Sequence, residues 1–298
     1  MNPPFVAPES PYLAPFEGRL NHQDCHTGPP EWAPGKKDLR KQLKMLAREI
    51  DQQQRMLYAQ DRFAVLLVFQ ALDAAGKDGT IRAVFNRVDP NGLHVASFKA
   101  PTHEEVEHDF LWRTTKELPR RGSIGVFNRS YYEEVLVVRV HPEFLGGQNL
   151  PPWDSLDALW QQRYEAIRQH ELHLAQSGTV VIKFWLKHSR EEQRQRFLDR
   201  LTEPEKHWKF SERDVAERGY WDQYMQCYQD AVNATSRPWA PWYVIPADSK
   251  PFMRLQVATI VRDAMAGLGL AFPTSSAERK EELKLMVKQL ENEDSASS

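Results

Sequence analysis

The chain has 298 residues, and its 39 Lys and Arg against 41 Asp and Glu give a formal net charge of −2. Hydrophobic residues make up 41% and charged residues 27%, the composition of an ordinary water-soluble globular protein. The two cysteines, Cys25 and Cys227, form no CxxC pair, which argues against a disulfide scaffold and a Cys-rich zinc site. A net charge so close to zero offers no bulk attraction for nucleic acid. We therefore expect no nucleic-acid partner, and any polyanion would be bound by local basic clusters.

The sequence contains no run of about 18 apolar residues, so it predicts no membrane-spanning segment. The N-terminal stretch MNPPFVAPES lacks the charged and apolar regions of a secretory signal. We therefore expect a cytoplasmic protein without a membrane partner. The length of the chain fits either two domains or one large α/β domain.

In chain order, residues 1–35 are rich in Pro, Gly and small polar residues, which predicts an arm that is extended over the surface or partly disordered. Apolar residues at helical spacing then predict a long amphipathic helix over 37–62. The following segments predict strands over 63–69, 94–98, 123–127, 179–186 and 242–245, and helices over 81–88, 102–118, 154–177, 189–201, 214–234 and 254–268. This alternation predicts an α/β fold with a parallel sheet, occupying 36–270 and followed by a charged tail over 271–298.

The first predicted strand is followed by a loop and then a helix, an arrangement that aims backbone N–H groups at an anion. In this loop Gly76 and Gly79 let the backbone approach phosphate closely, and Lys77 supplies an ammonium for phosphate oxygens. The match to the P-loop pattern is imperfect, because Ala71 replaces the first Gly and Asp78 replaces the final Ser or Thr. A Gly-rich turn with a surface lysine is the alternative interpretation.

Asp73 lies inside the same loop, where a carboxylate would repel phosphate unless a cation lay between them. Mg²⁺ binds through one or two carboxylates together with phosphate oxygens. We therefore predict that Asp73 holds Mg²⁺, with Mn²⁺ as an alternative metal. A surface Asp that caps the following helix is the competing interpretation.

A second polar group, Asn128, Arg129 and Glu133, follows the strand predicted at 123–127. Ligands of open α/β sheets lie at the carboxyl ends of the strands, so we expect Asn128 and Arg129 to face the crevice of the phosphate loop. Arg129 suits bidentate phosphate binding. Glu133 could hold a metal or a substrate hydroxyl, and an ion pair with a neighbouring arginine is the alternative. Arg139 could face the same ligand.

Residues 187–213 contain eight basic and six acidic residues. A basic, Pro-containing segment at this point of such a fold is typical of a lid that closes over phosphates and excludes water. A salt-bridged surface helix is the alternative. We expect the lid to span about 196–218 and to present Arg196, Arg200, Lys206 and Lys209.

Four segments in this order and spacing resemble polyphosphate kinase family 2: ALDAAGKDGT at 71–80, FNRSYYE at 127–133, PEKHWKF at 204–210 and APWYVIPA at 240–247. The resemblance runs from about residue 37 to about residue 270. It implies a P-loop kinase fold similar to thymidylate kinase, with three αβα layers, a parallel five-stranded sheet and a helical lid. It also implies Mg²⁺-dependent phosphoryl transfer between inorganic polyphosphate and AMP, ADP or ATP, by a homo-oligomer of two or four subunits.

The version of the second motif in this chain is similar to that of the class III subgroup, which phosphorylates both AMP and ADP. Many family members carry Asp where this chain has Asn128, and Asn where it has Glu133, so Asp73 would carry more of the metal binding. We therefore expect a catalytic set of Asp73, Lys77, Asn128, Arg129 and Glu133, with Asp73 and Glu133 as metal ligands. We also expect a phosphate- and nucleotide-binding set of Ala74, Ala75, Gly76, Asp78, Gly79, Thr80, Arg139, Arg196, Arg200, Lys206 and Lys209.

Two other functions compete with this one. An ATP-dependent nucleoside monophosphate kinase of the thymidylate kinase type is disfavoured, because Ala71 and Asp78 alter the loop that cradles ATP. A protein that binds a polyanion without chemistry is disfavoured as well, because binding alone needs no carboxylates in the cradle.

Overall fold

The computed structural model describes residues 5–16 and 19–296, so the remaining positions of the predicted arm and tail lie outside the described residues. The strands are β1 (Ala64–Gln70), β2 (Leu93–Ser97), β3 (Ile124–Asn128), β4 (Thr179–Lys187) and β5 (Trp242–Pro246). The α-helices are α1 (Lys36–Gln60), α2 (Lys77–Phe85), α3 (His103–Val106), α4 (Trp112–Thr115), α5 (Val137–Val140), α6 (Leu156–Gln176), α7 (Arg190–Thr202), α8 (Glu212–Glu217), α9 (Trp221–Thr235), α10 (Lys250–Ala266) and α11 (Ala277–Ala296). Short 3₁₀ turns lie between them, including Tyr131–Val135, Pro204–Lys209 and Arg218–Tyr220.

Within the described residues, the sheet has five parallel strands in the order β2-β3-β1-β4-β5. All seven residues of β1 are buried, because helices cover both faces of the sheet. Val65, Leu67 and Phe69 pack in a core with α1, α2 and α10. Leu66 and Val68 pack in a second core with α6 and α9. This arrangement confirms the predicted three-layer fold and places the ends of β1, β3 and β4 together at one edge.

The described part of the arm packs along β5, at the edge of the sheet. Leu13 forms an antiparallel bridge with Tyr243. The N–H of Ala14 donates to the carbonyl of Trp242, and the N–H of Val244 donates to the carbonyl of Tyr12, both at 2.8 Å. An open strand edge exposes unpaired backbone groups, and the arm satisfies those of β5. Of the two interpretations of the arm, these residues adopt the extended one.

The helix predicted at 102–118 was wrong as a single element, since it is divided into α3 and α4. The predicted capping box is present: Thr102 and Glu105 exchange side chain-to-backbone hydrogen bonds of 2.8 and 3.2 Å. The helix then ends because the Asp109 carboxylate accepts from the N–H of Leu111 at 2.9 Å, which competes with the helical hydrogen bonds.

The helix predicted at 214–234 is also divided. It consists of α8, the 3₁₀ turn Arg218–Tyr220 and α9. Gly219 lies at the break, where its conformational freedom disfavours a continuous helix. The charged tail forms α11, whose described side chains are exposed to solvent. In the described part of the chain, no helix combines the length and apolar character that crossing a membrane requires.

Gly125 in β3 packs directly against the ring of Pro119. A Cβ at this position would lie 2.8–3.0 Å from three ring carbons of Pro119, closer than packed carbon atoms approach. We expect Gly125→Ala to lower the free energy of unfolding by about 1–3 kcal/mol, as overpacking does. Urea denaturation measures this change.

Gly146→Ala is the matched control, because no atom lies within 4 Å of its Cβ position. We expect the control to change the free energy of unfolding by less than about 0.5 kcal/mol, as for most surface substitutions. Equal losses in the two variants would contradict the packing argument at Gly125.

Candidate active site

The loop between β1 and α2 forms the predicted phosphate cradle. Ala74 and Gly76 have φ values of 65° and 97°, in the left-handed region, so the chain turns sharply before α2 begins at Lys77. The first N–H groups of a helix have no intrahelical acceptor, and here they point out of the start of α2. The ammonium of Lys77 donates to the carbonyl of Ala71 at 2.7 Å. Burial, together with the nearby charge of Arg129, lowers the pKa of Lys77 to about 8.

Arg196 binds backbone carbonyls of this loop. Its guanidinium donates to the carbonyls of Ala74 and Ala75 at 2.9 and 2.8 Å, and to the carbonyl of Ala247 at 2.6 Å. The side chain lines the cleft but is only 5% exposed, so its hydrogen bonds are directed to the backbone. The structure therefore places Arg196 as a support of the loop that also borders the cleft.

Two further side chains bind the same loop. The Nε2 atoms of His188 and Gln193 each donate to the carbonyl of Asp73, at 3.0 and 3.1 Å. Together with Arg196, they bond the loop carbonyls to the end of β4 and to α7. Neither residue was predicted from the sequence, although His188 lies two residues after the strand predicted at 179–186.

Arg129 connects the phosphate loop to the end of β3. Its guanidinium forms ion pairs with Asp73 at 2.9 Å and with Glu133 at 3.4 Å. Its backbone has a φ of 65°, and its N–H donates to the carbonyl of Phe69 in β1 at 3.0 Å. The ion pair that was the alternative interpretation of Glu133 is thus present, and it also brings three predicted catalytic residues together.

Asn128 faces the phosphate loop. Its amide donates to the carboxylate of Asp78 at 2.6 Å. Asp78 stands where a P-loop carries Ser or Thr, so a carboxylate oriented by an amide takes the place of the hydroxyl. An aspartate at position 128 could not donate this hydrogen bond.

A cleft of about 750 Å³ opens above these residues, and we call it the basic cleft. Among the described residues, its basic lining side chains are Lys77, Lys99, Arg129, Arg196, Arg200, Lys206, Lys250 and Arg254. Its acidic lining side chains, within the same ranges, are Asp73, Asp78 and Asp199. The excess of positive charge suits a ligand with several phosphates.

The residues predicted from the sequence did not include Lys99, Lys250 or Arg254. Lys99 follows β2, and Lys250 begins α10 after β5. The rule that ligands lie at the carboxyl ends of parallel strands would have found both. Arg254 lies one helical turn after Lys250 and contacts Gly79, where a Cβ would lie 2.9 Å from the guanidinium.

Two residues that were predicted to bind phosphate have other partners in the structure. Arg139 binds Asp230 at 2.8 Å and the hydroxyl of Tyr164 at 2.9 Å, between α5, α6 and α9, and it does not line the basic cleft. The hydroxyl of Thr80 is buried and donates to the carbonyl of Gly76.

In the predicted lid, Arg200 pairs with Asp214 at 3.0 Å. Lys206 pairs with Glu203 and borders the basic cleft. The side chain of Lys209 lies outside the described part of the structure.

A second cavity of about 460 Å³ adjoins the basic cleft, and we call it the aromatic cavity. The two share the charged residues Asp73, Lys99 and Arg129, together with Ala100. Glu133 lines the aromatic cavity and not the basic cleft. Its aromatic lining side chains are His141, Phe144, Trp221, Tyr224 and Tyr228. A ligand in this cavity could place an anionic end at Arg129 and an apolar, planar part against the rings.

The described residues contain no group of three or more His, Cys, Asp and Glu side chains that could hold a metal by themselves. Asp73 and Asp78 nevertheless line the same cleft, and Mg²⁺ binds to one or two carboxylates with substrate phosphates as the other ligands. The donor set therefore fits a Mg²⁺ that binds together with phosphate.

Comparison with known proteins gives consistent matches. The family model described as polyphosphate kinase 2 matches residues 34–269. An ADP-polyphosphate phosphotransferase of Rhodopseudomonas palustris is 49% identical over 249 residues, covering 83% of this chain and 86% of that protein. An AMP/ADP-polyphosphate phosphotransferase of Meiothermus ruber is 45% identical over 239 residues, covering 80% of this chain and 85% of that protein.

The fold is similar to a solved structure as well. The crystal structure of polyphosphate kinase 2 from Arthrobacter aurescens TC1 superposes with a TM-score of 0.83 and 38% sequence identity, covering 90% of this chain and 93% of that one. The matched residues include the phosphate loop, the Asn128–Arg129 turn and the helices that support them. The resemblance found in the four motifs is thereby confirmed, and the chain belongs to the polyphosphate kinase 2 family.

Proposed function

We propose that this chain transfers the terminal phosphoryl group of inorganic polyphosphate to ADP, forming ATP, and to AMP, forming ADP. The observation that carries the proposal is that the basic cleft and the aromatic cavity adjoin and share the charged residues Asp73, Lys99 and Arg129. A donor in the first and an acceptor in the second would meet at Arg129. The names of the relatives from Rhodopseudomonas palustris and Meiothermus ruber support these substrates.

The basic cleft would bind the polyphosphate donor. Its volume of about 750 Å³ exceeds what a single phosphate needs, and its cationic side chains are spread over several elements. A linear polyanion can contact such charges one after another, whereas a compact ligand contacts few of them. Lys99, Lys250 and Arg254 would extend the contact beyond the phosphate loop.

The aromatic cavity would bind the acceptor nucleotide. Its rings can stack on a nucleobase, and its polar end lies at Arg129 and Glu133. The acceptor phosphate would then approach the donor at the boundary of the two cavities. An acceptor phosphate is largely ionised at neutral pH, because its second pKa is about 6, so the transfer needs no general base.

Catalysis would consist of positioning and charge neutralisation. Lys77 and the N–H groups at the start of α2 would bind the transferred phosphoryl group, and Arg129 would stabilise charge on its oxygens. Asp73 and Glu133 hold the guanidinium of Arg129 from two sides and so restrict its rotation. Closure of a lid over about 196–218 would exclude water and favour transfer over hydrolysis.

Magnesium, or manganese in its place, would neutralise phosphate charge at this boundary. Asp73 lines both cavities and would hold the metal together with phosphate oxygens. Asp78 faces the basic cleft and Glu133 the aromatic cavity, so each could add a ligand on its own side.

Family membership favours polyphosphate as donor over the ATP-dependent nucleoside monophosphate kinase alternative. It also favours transfer over binding without chemistry. A homo-oligomer of two or four subunits and a cytoplasmic location stay predictions of the sequence.

The test of the function is to incubate the purified chain with Mg²⁺, polyphosphate and either ADP or AMP, and to follow ATP and ADP by chromatography. We expect polyphosphate-dependent product, and none when ATP replaces polyphosphate as donor to AMP. Lys77→Met should lower the rate roughly 10²–10³-fold, the usual effect of removing a preorganised charge at the reacting group. Its unfolding temperature should stay close to that of the parent. A variant with more than half of the parent rate would exclude this loop as the phosphate site.

Asn128→Asp tests the pairing at Asp78. The variant would place two carboxylates in contact, so we expect a lower unfolding temperature in EDTA and a larger increase on adding Mg²⁺ than in the parent chain. The loss in EDTA should correspond to about 0.5–1.5 kcal/mol, the usual net contribution of one hydrogen bond, because this contact is exposed to solvent.

The control for this variant is Asn128→Asp combined with Asp78→Asn. It exchanges donor and acceptor and should recover most of the stability in EDTA. A Mg²⁺ response of Asn128→Asp no larger than that of the parent would show that no metal binds beside these two residues.

Glu133→Asn tests acceptor range. AMP has one phosphate fewer than ADP, so an additional ligand must hold its phosphate at the transfer point. Glu133 lines the aromatic cavity and would supply that ligand. We expect kcat/KM for AMP to fall about ten- to hundredfold, the range for losing a charge-assisted contact, while kcat/KM for ADP falls less. Glu117→Gln, at a residue that pairs with His94 and lines neither cavity, should change neither value. Equal losses with the two acceptors would show that Glu133 does not set acceptor range.

A further inference from the structure

A cluster of polar side chains is buried beneath the turn that carries Arg129, on the side of the sheet covered by α6 and α9. We call it the buried cluster, and its members are Tyr131, Tyr132, Glu171, Lys183 and Thr235. Glu171 and Lys183 are fully buried with opposite charges. None of the five lines the basic cleft or the aromatic cavity, so the proposed reaction does not use them directly.

Glu171 is the centre of the cluster. The hydroxyls of Tyr131 and Tyr132 each lie 2.9 Å from its Oε1 atom. Lys183 donates to its Oε2 atom at 2.5 Å. The other two protons of the Lys183 ammonium are directed to the hydroxyl of Tyr132 at 3.0 Å and the carbonyl of Thr235 at 2.8 Å. Every donor of the ammonium is therefore satisfied.

A buried ion pair carries a large desolvation cost in free energy. Removing two opposite charges from water usually costs more free energy than their attraction returns. A protein in which apolar side chains of similar volume replace the pair is often just as stable. Hydrogen bonds are directional, however, and apolar contacts are not. The feature that this cluster adds to the core is therefore the fixed orientation of two tyrosine hydroxyls.

These tyrosines directly follow Arg129 and Ser130 in the chain. Arg129 has a φ of 65°, an uncommon conformation for a residue other than glycine. Such a conformation persists only where the surroundings determine it. On one side the N–H of Arg129 is bound by Phe69, and on the other the chain is anchored through the tyrosines. The hydroxyl of Ser130 accepts from the N–H of Tyr132 at 3.1 Å and closes the turn.

We propose that the buried cluster positions Arg129 for phosphoryl transfer. Lys183 keeps Glu171 in place, Glu171 holds the two tyrosine hydroxyls, and the tyrosines fix the turn that aims the guanidinium between Asp73 and Glu133. Glu171 and Lys183 are positioning residues, since they reach the substrates only through Arg129. This inference rests on the proposed role of Arg129 in the transfer.

Removing Glu171 or Lys183 would leave an unpaired buried charge and would unfold much of the chain, so the test removes a hydroxyl instead. Tyr131→Phe removes one hydrogen bond to Glu171 and no charge. Tyr243→Phe is the matched control, because Tyr243 is also fully buried and its hydroxyl donates to the carbonyl of Pro8 at 2.8 Å, in the other core. Both variants should lower the unfolding temperature by a similar few degrees.

In steady-state assays with polyphosphate and ADP, we expect Tyr131→Phe to lower kcat about ten- to hundredfold, as a small misplacement of a catalytic group does, with little change in KM. Tyr243→Phe should leave both constants unchanged. In an Arg129→Lys background, Tyr131→Phe should lower kcat no further, because the two residues act as one unit. Unchanged kcat in Tyr131→Phe, or effects that multiply in the double variant, would overturn the proposal.

A second measurement does not depend on turnover. The Nε–Hε NMR signal of Arg129, assigned by its loss in Arg129→Lys, should shift or broaden in Tyr131→Phe and stay unchanged in Tyr243→Phe. An unchanged signal in both variants would overturn the positioning role. A parent chain that forms no product from polyphosphate would contradict the proposed function, and the NMR comparison would still decide whether the cluster holds Arg129.

Discussion

The candidate active site depends on hydrogen bonds from three side chains to the backbone carbonyl oxygens of the phosphate loop. A loop with left-handed backbone at Ala74 and Gly76 is not stable by its local sequence alone. Arg196 and Gln193 of α7, with His188 at the end of β4, bond the carbonyls of residues 73–75. With the carbonyls bonded on that side, the loop keeps the shape in which the start of α2 can receive an anion.

This arrangement limits how the proposed lid over about 196–218 could move. The beginning of α7 is bonded to the phosphate loop, so motion that closes the site would come from the segment after it, which contains Arg200 and Lys206. Arg200 is paired with Asp214, so an ion pair joins two parts of the proposed lid. A lid with one end bonded to the loop can close without disturbing the cradle that it covers.

The charges of the site are arranged in alternation. Arg129 lies between Asp73 and Glu133, and Asn128 holds Asp78, so each predicted carboxylate has a partner before any phosphate binds. Binding of a polyanion with Mg²⁺ would exchange these partners for phosphate oxygens and metal. Below this layer, the Glu171–Lys183 pair carries no exposed charge, but it holds the turn on which Arg129 depends.

Local features of the sequence determined the fold class and the centre of the site. Continuous apolar strands can be stable only between two layers of helices, and polar residues directly after such strands must lie at one edge of the sheet. Asp73, Lys77, Asn128 and Arg129 were therefore predicted together, and the structure brings them together. The breaks at Asp109 and Gly219 were not foreseen, because a single side-chain hydrogen bond or glycine outweighed the helical periodicity.

Only the tertiary structure decided where the long basic side chains point. Arg139 and Arg196 have the same chemistry, yet one binds Asp230 and the other binds backbone carbonyls of the loop. Lys250 and Arg254 reach the basic cleft because α10 packs beside α2. The direction of a flexible side chain depends on partners that are distant in sequence, and no local pattern records them. The pairing of Glu171 with Lys183 has the same origin, since α6 and β4 meet only in the folded chain.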